Sequence, residues 1–533
     1  MSFVSFSFIL LFGVFTVLYF VLPHKCQWPM LLIFSYAFYW FAAEKLPIYM
    51  IVTTVVTFFS AFLIDSINCK SDNYIKENKE TISRQEKKEL KNKAKKKGRT
   101  ILVVALILNF GMLAVFKYSD FVVGNITGLL AHFGIETGYT GFNLLLPLGI
   151  SFYTFQSTGY IIDVYRGKVK AEKNPLKLAL FVSYFPQIIE GPIGRFGDLH
   201  TQLISEHKFS FDRLKRNILL ILWGFLKKLV IADNLAVTVN EVSGNYAIYD
   251  GFQLFVCMIL YGIQLYTDFS GYMDMASGFS GILGIELAQN FKRPYFSTSL
   301  AEFWRRWHIT LCAWFRDYLF YPIYMSKKCM GISKKLRKKG HKKAATIIPT
   351  FIATVIVWFL TGLWHGAYWT EIVWGLCNGL IMMFSLQFKD GYEKVNRRLH
   401  INEESKIWTA FRIIRTYLLV TALNFITVFE SFSDSAKAFV GFIKNPLPHG
   451  LSLAYFLPKL SGYGVMVTLV VLLCCTLLFA VSLYEERHKI SGETICACHW
   501  IVQTITFIVL FAIVILFSGN ASGLSGVFMY AQF

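Results

Sequence analysis

The chain has 533 residues, 55% of them hydrophobic and only 16% charged, with a mean hydropathy of +0.48. That balance excludes an ordinary soluble globular protein and points to a polytopic membrane protein. The net charge of +20 is no sign of nucleic-acid binding: residues 70–99 hold 12 Lys/Arg against 5 Asp/Glu, residues 327–343 hold 9 and no acids, and together they supply 16 of the 20 charges.

Apolar runs able to span hydrocarbon recur near 3–22, 28–44, 46–66, 100–119, 145–162, 176–190, 216–233, 252–267, 345–363, 367–387, 410–428, 464–483 and 499–518. Some are half-spans or interfacial helices, so roughly eleven to thirteen passes are expected. Met1–Leu22 lacks a positive n-region and reads as a retained span. The two basic segments, 70–99 and 326–343, read as cytoplasmic loops by the positive-inside rule. Three spans precede the first, which places the N-terminus outside. The ten cysteines show no metal-ligand spacing, and Cys474-Cys475 and Cys496-x-Cys498 read as small membrane-core residues. Pro446, Pro448 and Pro458 mark 432–463 as a long surface loop. No internal repeat with matching broken helices is present, which argues against a secondary transporter.

Five stretches are candidates for polar chemistry or a special role. Phe185-Pro186-Gln187 with Glu190-Gly191-Pro192 reads as a polar helix break, tolerated only where it is buried in protein or lines water. Asp268 and Asp274 stand six apart in an apolar setting, and pairing with Arg293, Arg305 or Arg306 is expected. Ser299 followed by Glu302 is a capping box, so the spacing predicts a helix from Ser299 through Trp304, Trp307, His308, Leu311, Trp314, Phe315 and Tyr318. Its arginines require an interface or a polar cavity; an interfacial helix and a cavity wall presenting His308 fit equally well. His365 closes the apolar run Ile347–Leu363 between Trp364 and Gly366, with Asn378 on the next segment within potential reach. An ionisable group there is a functional candidate by default, and imidazole can exchange a proton near neutral pH. The tail Phe528-Met-Tyr530-Ala-Gln-Phe533 reads either as an interfacial anchor or as a peptide inserted into the protein's own cavity.

Several of these runs resemble the bacterial membrane-bound O-acyltransferases (MBOATs). They are Leu146–Phe152, Ile162–Tyr165, Phe185–Gln187 with Gly191–Ile193, Tyr266–Gly271, Asn290–Tyr295, Glu302–His308, Trp314–Leu319 and Gly362–Gly366. The pattern is nearest to the alginate and peptidoglycan O-acetyltransferase membrane subunits. The resemblance implies an all-α fold, a single membrane domain over 1–533 with interfacial and re-entrant helices around a central tunnel, a catalytic core at 145–380 and a tail at 519–533. It implies a bacterial cytoplasmic-membrane enzyme. His365 matches the family's catalytic histidine, His308 the second active-site position, and Phe528, Tyr530 and Phe533 match the Phe-x-Tyr-x-x-Phe ending of the polysaccharide-acylating branch. Phe429-Glu430-Ser431 departs from that pattern.

The expected activity is O-acetylation of an extracytoplasmic polysaccharide. Acetyl-CoA is the implied donor, no permanently bound cofactor or metal is needed, and Tyr530 is the implied intermediate acceptor. An extracytoplasmic SGNH-type acyltransferase is the implied partner, besides membrane lipid, and nucleic acid is not. Trp304, Arg305, Trp307, Trp364, Asp268 and Asn378 are the candidates for contacting substrate or lining the tunnel. D-alanyl transfer to teichoic acid is the alternative within the class. A flippase, channel or non-catalytic scaffold is the alternative outside it.

Overall fold

The computed structural model describes every residue except 1, 44–46, 143, 430, 451, 459, 461–463, 489–497 and 519–533. All regular elements among the described residues are helical. They fall into two compact units, residues 1–210 with 279–288 and residues 211–278 with 289–533.

The first unit contains α1 (Phe6–Val21), α2 (Gln27–Ala43), α3 (Ile48–Glu77), α4 (Arg84–His132), α5 (Ile150–Tyr165), α6 (Pro175–Ser183), α7 (Phe185–Ile188) and α8 (Phe196–Ile204). α3, α4 and α5 pack on one another. The basic segment 70–99, expected as a loop, is mostly helix: α3 runs on to Glu77 and α4 starts at Arg84. A reciprocal cap starts α4, with Ser83 Oγ accepting from the Glu86 N–H at 3.1 Å and the Glu86 carboxylate accepting from the Ser83 N–H at 2.9 Å. Lysines have good helix propensity, so a charged run between two spans need not unravel. The expected polar break is present. α6 stops at Ser183, a single turn follows, and Gln187 Nε2 donates to the Pro192 carbonyl at 2.8 Å beside the fully buried Glu190.

The second unit holds α9 (Phe211–Phe225), a π-helical stretch Leu226–Ala232, α10 (Asp233–Gly244) and α11 (Gly251–Ile282), whose end from Phe279 belongs to the first unit. Next come α12 (Leu300–Arg306), α13 (Ile309–Phe315), a second π-helical stretch Arg316–Phe320, α14 (Tyr321–Tyr324) and α15 (Lys327–Lys338). α16 (Lys342–His365), α17 (Trp369–Gln387), α18 (Lys389–Arg398), α19 (Lys406–Phe425), α20 (Phe432–Lys444), α21 (Leu453–Phe456), α22 (Val465–His488) and α23 (Trp500–Phe517) complete it.

Among the described residues, eight helices are long and apolar enough to cross a membrane: α3, α4, α11, α16, α17, α19 with its extension to Val428, α22 and α23. The other runs marked in the sequence are helices too, but shorter or broken. Two further segments expected as loops are helical. α15 occupies most of 326–343, and α20 takes the first part of 432–463, capped by Ser431 Oγ accepting from the Asp434 N–H.

α16 and α17 pack closely along their backbones. A Cβ on Gly375 would strike the Trp358 carbonyl, and one on Gly362 would strike the Glu371 carbonyl. Only glycine permits that approach of two backbones. The pair fixes where α16 ends, and α16 ends on His365.

Candidate active site

His365 is buried at the last position of α16, and Gly366 continues in extended geometry. Its ring lies 4.9 Å from the Trp364 ring and 4.8 Å from that of Trp374 on α17, both edge-on. Trp374 is held in turn, its Nε1–H donating to Asn424 Oδ1 on α19 at 2.9 Å. Rings at such separations interact favourably and resist rotation.

His308 reaches the same place by another route. The helix expected from Ser299 begins as predicted, with Ser299 Oγ accepting from the Glu302 N–H. The Glu302 carboxylate turns to Thr298 instead of Ser299, so the reciprocal half of the box is replaced. The helix then stops at Arg306. His308 takes φ 45° and ψ 50°, a left-handed conformation, and a new helix starts at Ile309. Segment 290–292 causes the break by intercepting the backbone: Lys292 N–H donates to Arg306 O at 2.9 Å, and Ile309 N–H donates to Asn290 O at 3.0 Å. The single continuous aromatic face from Trp304 to Tyr318 is therefore corrected to two short helices meeting at His308.

Asn290 also sets the tautomer of His308. Its Oδ1 accepts from the Thr310 N–H at 3.1 Å and the Thr310 hydroxyl at 2.9 Å, which fixes that atom as oxygen. His308 Nδ1 lies 3.3 Å from the same oxygen and must be the donor. The lone pair of a neutral His308 ring is then on Nε2. Burial pushes the His308 pKa down to about 3, so the ring is neutral at physiological pH. Phe269 packs edge-on against it at 4.9 Å. The Trp364 ring lies 6.2 Å from the His308 ring, so one indole is shared by both histidines.

Of the other residues named from sequence, Trp304 and Asn378 belong to this wall. Trp304 Nε1–H donates to Asn378 Oδ1 at 3.1 Å, and its ring packs on Trp358 and Trp374. Trp307 lies in an aromatic cluster with Phe291, Phe303 and Tyr295. Arg305 is exposed and does not share the buried surface of His308, contrary to the helical spacing. Asp268 pairs with a lysine, where the sequence suggested an arginine. Its Oδ1 accepts from Lys228 Nζ at 2.5 Å, Lys228 also meets Asp233 at 2.9 Å, and Lys227 pairs with Asp274 at 2.6 Å. Arg293 and Arg306 instead meet Glu486 at 2.7 and 2.9 Å. Asp268 thus backs the site through its neighbour Phe269. Tyr530, Phe528, Phe533, Glu430 and Cys496 lie outside the described residues.

Sequence reasoning missed Trp358, Trp374, Asn424 and the role of Asn290. The adjacent Lys227-Lys228 in an apolar run was a usable signal for the buried ion cluster, since bare ammonium groups are costly there. Among the described residues, no three His, Cys, Asp or Glu side chains converge as a metal-binding group.

Residues 168–423 match the model of the MBOAT, membrane-bound O-acyltransferase family. A probable alginate O-acetylase from Pseudomonas syringae pv. tomato is 32% identical over 395 residues, covering 74% of this chain and 70% of that one. The chain belongs to the membrane-bound O-acyltransferase family. A probable alginate O-acetylase of Azotobacter vinelandii is 35% identical over 321 residues, 60% of this chain. A Helicobacter pylori peptidoglycan O-acetyltransferase is 29% identical over 460 residues, covering 78% of this chain and 80% of that one. The chain spans little more than half the length of the first of these relatives, 58% of the Azotobacter protein and 55% of a Pseudomonas aeruginosa counterpart. With eight apolar helices among its described residues and bacterial relatives, this MBOAT protein is a multi-pass protein of the bacterial cytoplasmic membrane.

Proposed function

We propose that this chain is an O-acetyltransferase that moves acetyl from a cytoplasmic thioester to an extracytoplasmic polysaccharide. The observation that carries the reading is the pair of buried histidines on the Trp364 indole. The names of the relatives, alginate O-acetylase and peptidoglycan O-acetyltransferase, supply the acyl group and the acceptor class.

Acetyl-CoA is the proposed donor. Exposed lysines and arginines of α15 and of the start of α4 raise the local concentration of its phosphates. His365 is the proposed general base. It takes the proton of the acceptor hydroxyl while the oxygen–acyl bond forms and the thioester C–S bond breaks, and the proton then goes to the departing thiolate. A neutral His308 with its lone pair on Nε2 is an acceptor, so it suits orienting a donor such as the acceptor hydroxyl. It could polarise the thioester carbonyl or an oxyanion only after protonation, which burial opposes.

Tyr530 is the proposed first acceptor. A phenol with an ordinary pKa of about 10 needs such a base. The geometry at the start of the tail supports this role. The Phe517 carbonyl lies 3.4 Å from Asn234 Nδ2, next to Asp233 and its Lys228–Asp268 partners, and Asp268 adjoins the Phe269 that packs on His308. Twelve residues separate Ser518 from Tyr530, and a fully extended chain of that length spans about 40 Å. A separate SGNH-type transferase would then pass acetyl to the polymer, because a charged CoA donor does not cross the bilayer.

The experiment is thioester turnover by purified protein in nanodiscs, with acetyl-CoA and, separately, a D-alanyl thioester. Wild type should release CoA, and His365→Ala should not. Preference for the D-alanyl donor would replace acetyl with D-alanyl transfer. Turnover unchanged in His365→Ala would reject the enzyme reading in favour of a channel or scaffold.

A further inference from the structure

Between α11, α19 and α22 lies a cavity of about 360 Å³, a size typical of ligand pockets. Its walls include Ile263, Tyr295, Ile413, Ile414, Leu478 and Phe479. Three membrane-crossing helices enclose it, so the surrounding solvent is lipid hydrocarbon. The cavity shares none of its lining with the two histidines.

Ile413 and Ile414 are bracketed in sequence by Arg412 and Arg415. Both guanidinium groups converge on one neutral residue: Arg412 Nη2 donates to Thr298 Oγ1 at 3.1 Å and Arg415 Nη2 to the Thr298 carbonyl at 3.0 Å. Neither pairs with a carboxylate among the described residues. The nearest acid in this network, Glu302, is already committed: its carboxylate accepts from the Thr298 N–H, the Thr298 hydroxyl and Arg306. Burial works to raise its pKa, but those hydrogen bonds and Arg306 outweigh it and hold the carboxyl below the usual range. It is a charge already neutralised by Arg306. Arg293 and Arg306 together face three carboxylates, Glu302, Glu485 and Glu486, so the four arginines of this region exceed its paired acids by one charge.

The depth of the two arginines can be placed. Lys343, at the start of α16, bonds Asp390 of α18 at 2.5 Å, so the start of α16, the basic α15 before it and α18 share one face. α19 leaves from that face, which the positive-inside rule makes cytoplasmic. Arg412 and Arg415 lie six and nine residues into α19, about 9–14 Å along its axis. Long arginine side chains at that depth reach the head-group layer.

We propose that this cavity is a binding site for one anionic phospholipid of the cytoplasmic leaflet, its phosphate on Arg412 and Arg415 and an acyl chain between α11, α19 and α22. Two guanidinium groups that donate to the neutral Thr298, above an apolar slot, match the two ends of such a molecule.

Native mass spectrometry of the detergent-purified protein, titrated with phosphatidylglycerol or phosphatidylcholine of identical chains, tests this. Wild type should bind one phosphatidylglycerol with roughly tenfold preference over phosphatidylcholine. Arg412→Gln with Arg415→Gln should bind both lipids equally, and Cys475→Trp, which fills the slot, should bind neither tightly. Each variant is first checked as a monodisperse peak on size exclusion. If a variant does not fold, the wild-type comparison decides alone. Equal binding of the two lipids by wild type, or an unchanged preference in the double variant, would overturn the proposal.

Discussion

The two histidines reach one indole through opposite kinds of structure. His365 ends a 24-residue helix, clamped to its neighbour by glycines at which no side chain fits. His308 sits in a left-handed break between two helices of 7 residues each, held by hydrogen bonds from a distant strand of chain at Asn290. The first wall is rigid by backbone contact, the second by a polar network. The difference teaches that one buried side-chain arrangement can be assembled from local and non-local determinants side by side, and that the two should fail differently.

The largest effect is expected at the clamp. Gly375→Leu forces α16 and α17 apart and should abolish both a cooperative melt and turnover, beyond the 1–3 kcal/mol common for overpacking, because the obstacle is backbone. On the other wall, Lys228→Met leaves Asp268 and Asp233 buried without their cation and should cost about 3–5 kcal/mol. A variant with a normal melting curve would show that the ion cluster does not support the His308 side. His365→Ala, by contrast, should leave the melting temperature nearly unchanged while lowering kcat by roughly 10²–10⁴-fold, the usual worth of a general base. A fall in stability equal to the fall in rate would make His365 a packing residue.

Smaller effects separate the walls further. Trp304→Phe keeps the ring but removes the Nε1–H that satisfies Asn378 Oδ1, with an expected loss of about 1–3 kcal/mol by thermal unfolding. Last comes pH. His308 has a folded pKa below its unfolded value of about 6.5, so the unfolded chain takes up the proton first. Stability from this group is therefore full above pH 7 and falls as pH drops below 6.5 toward 3. His308→Asn tolerates the left-handed backbone and should flatten that part of the profile. Parallel curves for variant and wild type would show that His308 is not held neutral.

Both histidines were legible in the sequence for one reason: ionisable groups in apolar runs stand out. The apolar run read as Ile347–Leu363 lies within α16, which extends to His365. The break at His308 was not legible. Local spacing and the Ser299–Glu302 cap both favour a continuing helix, and the competing hydrogen bonds come from Asn290, eighteen residues upstream. The lysine partners of Asp268 and Asp274 were missed because arginines nearer in sequence looked equally able. The charge runs at 70–99 and 326–343, expected as loops between spans, are mostly helical, since charge alone does not oppose helix formation where no tertiary contact decides the matter.

The most direct measurement is peptide mapping of the purified protein after brief exposure to labelled acetyl-CoA. The account predicts label on Tyr530 in wild type, and none on that peptide in Tyr530→Phe or His365→Ala. Delivery of label to polysaccharide by Tyr530→Phe at the wild-type rate would contradict it.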